Sequence, residues 1–101
     1  MSHIDNVLEE LERAKKIWPL WPKDPIHAAS VVVEEAGELQ RAALQFTYEG
    51  GYRGALYEEA KQTAAMALRF MEHMVDYELT RSEQVRSDHK SRCSEGGEHE
   101  C

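Results

Sequence analysis

The chain has little of what a secreted or membrane-spanning protein would need. Only two of its 101 residues are cysteines, Cys93 and Cys101, and both lie in a polar C-terminal segment where they are not expected to cross-link a core. No apolar run approaches the roughly 20 residues of a membrane helix. The first residues lack the basic start and apolar stretch of a signal peptide. We therefore expect a cytoplasmic protein with no membrane partner.

Basic residues are also few. The chain has 12 lysines and arginines against 19 aspartates and glutamates, so its net charge is −7. Direct binding of nucleic acid needs a basic footprint, and none is expected here. An acidic protein can still bind a polyanionic small molecule when metal ions lie between the two. The length allows one domain with a modest core, which oligomerisation would enlarge.

The three prolines divide the N-terminal half into two predicted helices. Pro19 and Pro22 end the first, and Ser2 with Asp5 could form a capping box at its start. Its apolar residues recur at spacings of three and four, which is typical of an amphipathic helix. They are Ile4, Val7, Leu8, Leu11, Ala14 and Ile17.

The second predicted helix has clear boundaries. Asp24 is a good N-cap, Pro25 suits the first helical position, and Gly50-Gly51 ends a helix that runs to about Tyr48. Residues 28–33 are apolar nearly all round, as in a helix buried on several sides.

A third helix is predicted from residues 53–56 to about Leu79, with no strand anywhere. The fold class is therefore all-α, a helical bundle of three main helices completed by oligomerisation. Residues 1–80 form the predicted domain, and the polar segment 81–101 is predicted to be a disordered tail. The expected core stripe of the third helix is Ala60, Ala64, Ala67, Met71 and Met74.

Carboxylates recur at helical spacing on the second and third helices. Glu35 and Glu38 project from one side of the second helix, and Glu34 lies four residues before Glu38. Glu59 and Gln62 repeat the three-residue spacing on the third helix. If the two helices pack antiparallel, as a short Gly-rich connection favours, these oxygen ligands can face each other. Hard cations such as Mg²⁺ prefer such ligands.

The alternative interpretation is a solvated face, because glutamate is a good helix former. Two features favour a site. Arg41 is the only basic residue within four positions of the first three glutamates, so ion pairing along the helix does not account for them. The pair Glu58-Glu59 echoes Glu34-Glu35, which supplies a second half-site.

Over roughly residues 15 to 75, the sequence resembles the MazG-like, all-alpha nucleoside triphosphate pyrophosphatases. Their hallmark is Glu-Glu-x-x-Glu on one helix and Glu-x-x-Asp on the next. The first motif is present at residues 34–38. The second is present as Glu59-Ala60-Lys61-Gln62, with glutamine at the aspartate position.

The resemblance implies a hydrolase that cleaves a nucleoside triphosphate to the monophosphate and pyrophosphate. Glu35, Glu38, Glu59 and Gln62 would hold Mg²⁺, with Mn²⁺ as a possible substitute. Glu34, Glu35 and Glu38 would be the catalytic carboxylates, with Glu34 supporting a further ion or orienting water. Members of this family assemble as homodimers or homotetramers, so we expect one of these states.

Four more side chains are candidates for substrate binding. Trp18 and Trp21 could stack on a nucleobase, or close one end of a small core. Arg53 and Lys61 could reach phosphate oxygens, although Lys61 could instead pair with Glu58.

Gln62 leaves a second function open. Its side-chain carbonyl can bind Mg²⁺ but brings no charge. The alternative is therefore a catalytically weak or inactive helical dimer that acts as a nucleotide-sensing or protein-interaction module. A di-iron bundle is set aside because the chain has no Glu-x-x-His motif. The base preference, the sugar preference and the choice between dimer and tetramer stay open.

Overall fold

The computed structural model describes residues 2–78. Within this range the regular elements are all helices and there is no strand, which confirms the predicted all-α class. None of the helices in this range is both long and apolar enough to cross a membrane. The predicted tail, 81–101, lies outside the described residues. The elements are α1 His3–Ile17, α2 Pro25–Tyr48, α3 Arg53–Glu72 and a short 3-10 helix, Met74–Asp76.

Both predicted helix starts are confirmed. The Ser2 hydroxyl accepts a hydrogen bond from the Asp5 backbone N–H at 3.0 Å, and the Asp5 carboxylate accepts one from the Ser2 backbone N–H at 3.3 Å. The Asp24 carboxylate accepts from the Ile26 N–H at 3.0 Å, with Pro25 in the first turn. These side chains satisfy N–H groups that have no partner within the helix.

The connection between α2 and α3 needs both of its central glycines. Gly50 has a φ of +78°, a left-handed conformation that side chains other than glycine rarely adopt. The Gly51 N–H donates to the Gln45 carbonyl at 2.9 Å, and a Cβ on Gly51 would lie only 3.0 Å from the Gln45 carbonyl carbon. This tight turn sends α3 back antiparallel along α2.

α3 lies between the other two helices. It packs against both α1 and α2, whereas no pair of Cα atoms joins α1 to α2 within 8 Å. The core is formed by Leu11 and Ala14 of α1 with Ala65 and Met66 of α3. The half-buried apolar side chains packed against it are Val7, Trp21, Val31, Val32 and Leu68.

The predicted core stripe of α3 was wrong. Ala60, Met71 and Met74 are exposed, and Ala64 and Ala67 are only half-buried. Because α3 packs between two helices, its most buried residues are those that lie toward both neighbours. These are Ala65, Met66 and Arg69.

The predicted end of α3 was also wrong. We expected the helix to continue to about Leu79, but it ends at Glu72, and His73 begins a 3-10 turn. The helical period of this segment does continue in the sequence. Contacts with a distant part of the chain therefore override it.

These contacts involve the segment that follows the 3-10 turn. The Tyr77 hydroxyl donates to the Phe70 carbonyl at 2.9 Å and accepts from the Trp21 indole N–H at 3.0 Å. The Glu78 N–H donates to the Lys23 carbonyl at 2.9 Å. These hydrogen bonds hold the segment after α3 against the connection between α1 and α2. A helix that continued past Glu72 could not form them.

We predict that Tyr77→Phe destabilises the protein by about 1–2 kcal/mol, because it leaves the half-buried Trp21 N–H and the Phe70 carbonyl without their partner. The measurement is the free energy of unfolding in urea. Tyr48→Phe is the matched control, since Tyr48 is exposed on α2 and should tolerate the same change. Equal losses in the two variants would contradict this account of the α3 end.

Candidate functional site

A cleft of about 480 Å³ lies between α1 and α2, with α3 as its floor. It exists because the backbones of α1 and α2 both pack on α3 but do not approach each other. Its volume is in the range of small-molecule sites, about 300–1,000 Å³. One end is acidic and amide-lined, and the other is aromatic and apolar.

The acidic end takes one side chain from each helix. Glu10 comes from α1, Glu35 from α2 and Gln62 from α3. The structure thus brings Glu35 and Gln62, both predicted ligands from different helices, to one cleft. Glu10 was not predicted, and it is buried.

Negative charge is concentrated around Glu35. Burial raises the pKa of the Glu35 carboxyl above its ordinary value, and the neighbouring carboxylates of Glu59, Glu38, Glu34 and Glu10 raise it further. All these neighbours carry the same sign. A group of carboxylates that repel one another in a partly buried place is suited to bind a cation.

The Glu59 carboxylate also has a buried oxygen whose charge no neighbouring donor compensates within residues 2–78. Its Oε1 atom is buried, and no group in residues 2–78 donates a hydrogen bond to it. A buried carboxylate oxygen without a donor costs free energy, because water has been removed and nothing replaces it. Such a cost is common at sites that receive a ligand.

The nearby cations are already paired with other acids. Arg41 contacts Glu38 at 3.2 Å, and Arg13 contacts Glu10 at 2.7 Å. The Arg41 pair is exposed, and such a pair is worth little. Glu38 can therefore leave it at small cost.

The carboxylates are gathered on one side of the bundle without meeting at one point. Within residues 2–78, no group of three or more His, Cys, Asp or Glu side chains is arranged to hold a metal ion. Glu34 and Glu38 are exposed on α2, whereas Glu35 and Glu59 are half-buried between helices. A metal site built from them therefore requires these side chains to come closer together.

Trp18 and Trp21 both line the aromatic end, with Leu20, Pro22 and Val31. Trp21 also packs against the core and stacks on His73, with 5.8 Å between ring centroids. Trp21 therefore does close one end of the core, as the alternative interpretation predicted. Trp18 is 62% exposed, so its ring is open to a ligand.

The two predicted phosphate-binding cations lie outside this cleft. Arg53 stacks over the Phe46 ring, 5.0 Å from its centroid, beside the α2–α3 turn. Lys61 pairs with Glu58 at 3.2 Å, which confirms the alternative for that residue. It lines a shallower depression on the α1 side of α3, beside Asn6.

The sequence analysis missed Arg69 as well as Glu10. Arg69 is 3% exposed and lines the aromatic end of the cleft. Both residues have a signal in the sequence: each occupies a position three or four residues from buried apolar ones on its helix. Arg69 follows Ala65 and Met66 at these spacings, so a charged residue there falls on the buried side.

Comparison of the chain with protein-family models, curated protein sequences and solved structures gives no match. The resemblance to the MazG-like family therefore rests on the two motifs, residues 34–38 and 59–62, and stays a prediction.

We predict that Glu35→Gln raises the melting temperature by a few degrees at neutral pH in the presence of a chelator. The amide removes a charge that burial and four carboxylates disfavour. Thermal unfolding followed by circular dichroism measures it. Glu49→Gln, the same change at an exposed position just after α2, is the control and should have almost no effect.

The contribution of Glu35 to stability changes with pH in a definite direction. Because the folded-state pKa of Glu35 is raised above its ordinary 4.5, stability is lost as the pH rises through the folded-state pKa. The gain from Glu35→Gln should therefore be absent below pH 4.5 and complete at neutral pH. A gain of the same size at both ends of this range would contradict the electrostatic explanation.

Proposed function

We propose that this chain is a Mg²⁺-dependent nucleoside triphosphate pyrophosphohydrolase, which converts an NTP or dNTP to the monophosphate and pyrophosphate. The observation that carries the proposal is the negative charge around Glu35, which lines one end of a cleft whose other end is aromatic. The neighbouring Glu59 adds a buried carboxylate oxygen that has no donor in residues 2–78. A nucleotide has complementary ends: a polyphosphate that binds with metal ions and a ring that stacks.

The oxygen donors are of the type that Mg²⁺ prefers, although they are not already arranged around one point in residues 2–78. The ion would be held by Glu35, Glu38, Glu59 and Gln62. Mn²⁺ also prefers oxygen ligands and is an alternative to Mg²⁺. The bound cation would neutralise the triphosphate and lower the pKa of the attacking water. Its binding would also supply the counter-charge that the buried Glu59 oxygen lacks.

The protein's own side chains would position the substrate and the water. Glu34 is exposed on the flank of the cluster, with no ion pair in residues 2–78, so its carboxylate is free to accept a hydrogen bond from water. The exposed Trp18 ring would stack on the nucleobase. Arg53 and Lys61 would have to leave Phe46 and Glu58 to reach a phosphate.

The test is release of pyrophosphate from a panel of ribo- and deoxyribonucleoside triphosphates with Mg²⁺ or Mn²⁺. We expect turnover that a chelator abolishes and that Glu38→Gln reduces by more than about a hundredfold. Mutation of a residue that only contacts a metal ligand already lowers metal affinity or activity by about 10–100-fold. Glu49→Gln is the matched control and should retain full activity. Gln62→Asp should bind the metal more tightly.

The same assay decides between the two candidate functions. Absence of turnover in the native chain, with none gained in Gln62→Asp, would exclude the enzyme. It would leave the helical nucleotide-sensing or protein-interaction module. Turnover only in Gln62→Asp would show that the fold is competent and that the glutamine has removed activity.

We also propose that the protein forms homodimers or homotetramers. Ile26 and Val33 are 76% and 67% exposed, and with Leu44 they follow spacings of seven and eleven residues. These spacings place all three on one line along α2, away from α3. The single chain leaves this apolar line uncovered, and a second α2 would match it.

Val33→Arg should therefore convert the oligomer to a monomer, because it puts a charge in the middle of this apolar line. Sedimentation velocity measures the change. Gln45→Arg adds the same charge at an exposed position off the line and should leave the oligomer intact. A native chain that sediments as a monomer would overturn the proposed assembly.

A further inference from the structure

Arg69 is a buried cation with one buried donor, Nε, that has no acceptor in residues 2–78. Its Nη2 donates to the Trp18 carbonyl at 2.7 Å, and its guanidinium lies over the Trp21 ring, 4.9 Å from the centroid. Its Nε is buried without an acceptor, and no carboxylate in residues 2–78 forms an ion pair with it. Arginine is rarely buried unless it is paired.

A structural role accounts for only part of this arrangement. The bond to Trp18 satisfies a carbonyl just after α1, but a guanidinium has five N–H donors. Burial lowers the pKa of this guanidinium, and the neighbouring Glu72 carboxylate offsets that only in part. A ligand with acceptor atoms would stabilise the charge further.

The guanidinium is held in one orientation. Trp21 lies against its face, and Trp21 is fixed in turn by Tyr77 through the indole N–H. A donor group that is already oriented loses little entropy on binding, so it can discriminate between ligands.

The position of Arg69 in the cleft indicates which part of a ligand it meets. Gln62 and Arg69 are seven residues apart on α3, which is about 10 Å along the helix axis. If the polyphosphate lies at the acidic end, as the proposed function has it, then Arg69 is beside the ring. Trp18 stands next to it to stack on that ring.

Arginine donates hydrogen bonds and accepts none, so it favours a ring edge that carries only acceptors. Guanine has two adjacent acceptors, O6 and N7, and arginine is their usual partner. Adenine keeps N7 but carries an amine donor in place of O6. That amine would lie against an N–H donor of the guanidinium, and two donors cannot form a hydrogen bond with each other.

We propose that Arg69 binds the ring edge of the nucleotide, so that the cleft takes 6-oxopurine nucleotides, those of guanine and hypoxanthine, in preference to adenine nucleotides. The inference rests on the proposed function only in taking the ligand to be a nucleotide with its phosphates at the acidic end.

The experiment measures binding without turnover. Trp18 and Trp21 are the only tryptophans of the chain and both line the cleft, so their fluorescence reports its occupancy. The full chain is titrated with GMP, IMP, AMP and 7-deaza-GMP in Mg²⁺ buffer. GMP and IMP should bind at least about tenfold more tightly than AMP, since a bidentate pair discriminates to this extent or more. 7-Deaza-GMP lacks the N7 acceptor and should lose most of that advantage.

Two variants locate the preference. Arg69→Lys keeps the charge but loses the planar pair of donors, so the affinity for GMP should fall toward the affinity for AMP. Arg13→Lys is the matched control: Arg13 lines the same cleft but is bound to Glu10, so the preference should persist. If Arg69→Lys does not fold, 7-deaza-GMP gives the same test on the native chain.

The outcomes separate this inference from the proposed function. Equal binding of GMP and AMP, full binding of 7-deaza-GMP, or a preference that survives in Arg69→Lys would each overturn the role of Arg69. Any of these together with pyrophosphate release would leave the proposed enzyme standing. No binding of any monophosphate and no pyrophosphate release would overturn both.

Discussion

α1 and α2 are held together only through α3, which packs against each of them. Both helices pack on α3, through small residues such as Ala14 and Ala65, and their Cα atoms do not come within 8 Å of each other. The gap becomes a cleft, and polar residues on the inner sides of all three helices line it. The small core and the candidate site are therefore two consequences of the same packing.

Charge is distributed in this cleft in a way that stability alone does not explain. Within residues 2–78, Glu35, Glu59 and Arg69 form no ion pair. Arg69 lies about 10 Å from Gln62 along α3, and the nearby Glu72 compensates its charge only in part. A fold selected only for stability would pair these opposite charges, because a buried ion without a partner is costly. Keeping them apart costs stability in the free protein. The same separation would let the proposed nucleotide meet both ends, with its metal ion at the acids and its ring acceptors at the guanidinium.

Local signals in the sequence were enough for the elements that local interactions determine. The caps at Ser2 and Asp24 and the turn at Gly50-Gly51 each depend on residues within a few positions, and all were predicted. The end of α3 was not, because it depends on bonds from Tyr77 to Trp21, 56 residues away in the sequence. Arg69 was missed for a related reason. The apolar residues of α3 fit two neighbouring stripes, so the spacing of Arg69 from Ala65 and Met66 was not decisive by itself. The packing of α1 and α2 against α3 decides which stripe is buried.

Gln62 can be judged only within this electrostatic setting. An aspartate there would add a further carboxylate beside Glu35 and Glu59, which already repel each other. One oxygen of Glu59 also has no donor in residues 2–78. In the absence of metal, that addition would raise the cost of folding. Glutamine still offers a carbonyl oxygen to a cation and adds no repulsion. Compared with aspartate, glutamine at this position would lower the affinity for metal and favour the stability of the free protein. α1 also brings the buried Glu10 to the same end of the cleft. A neutral residue here is therefore compatible both with the proposed enzyme and with the alternative, inactive module.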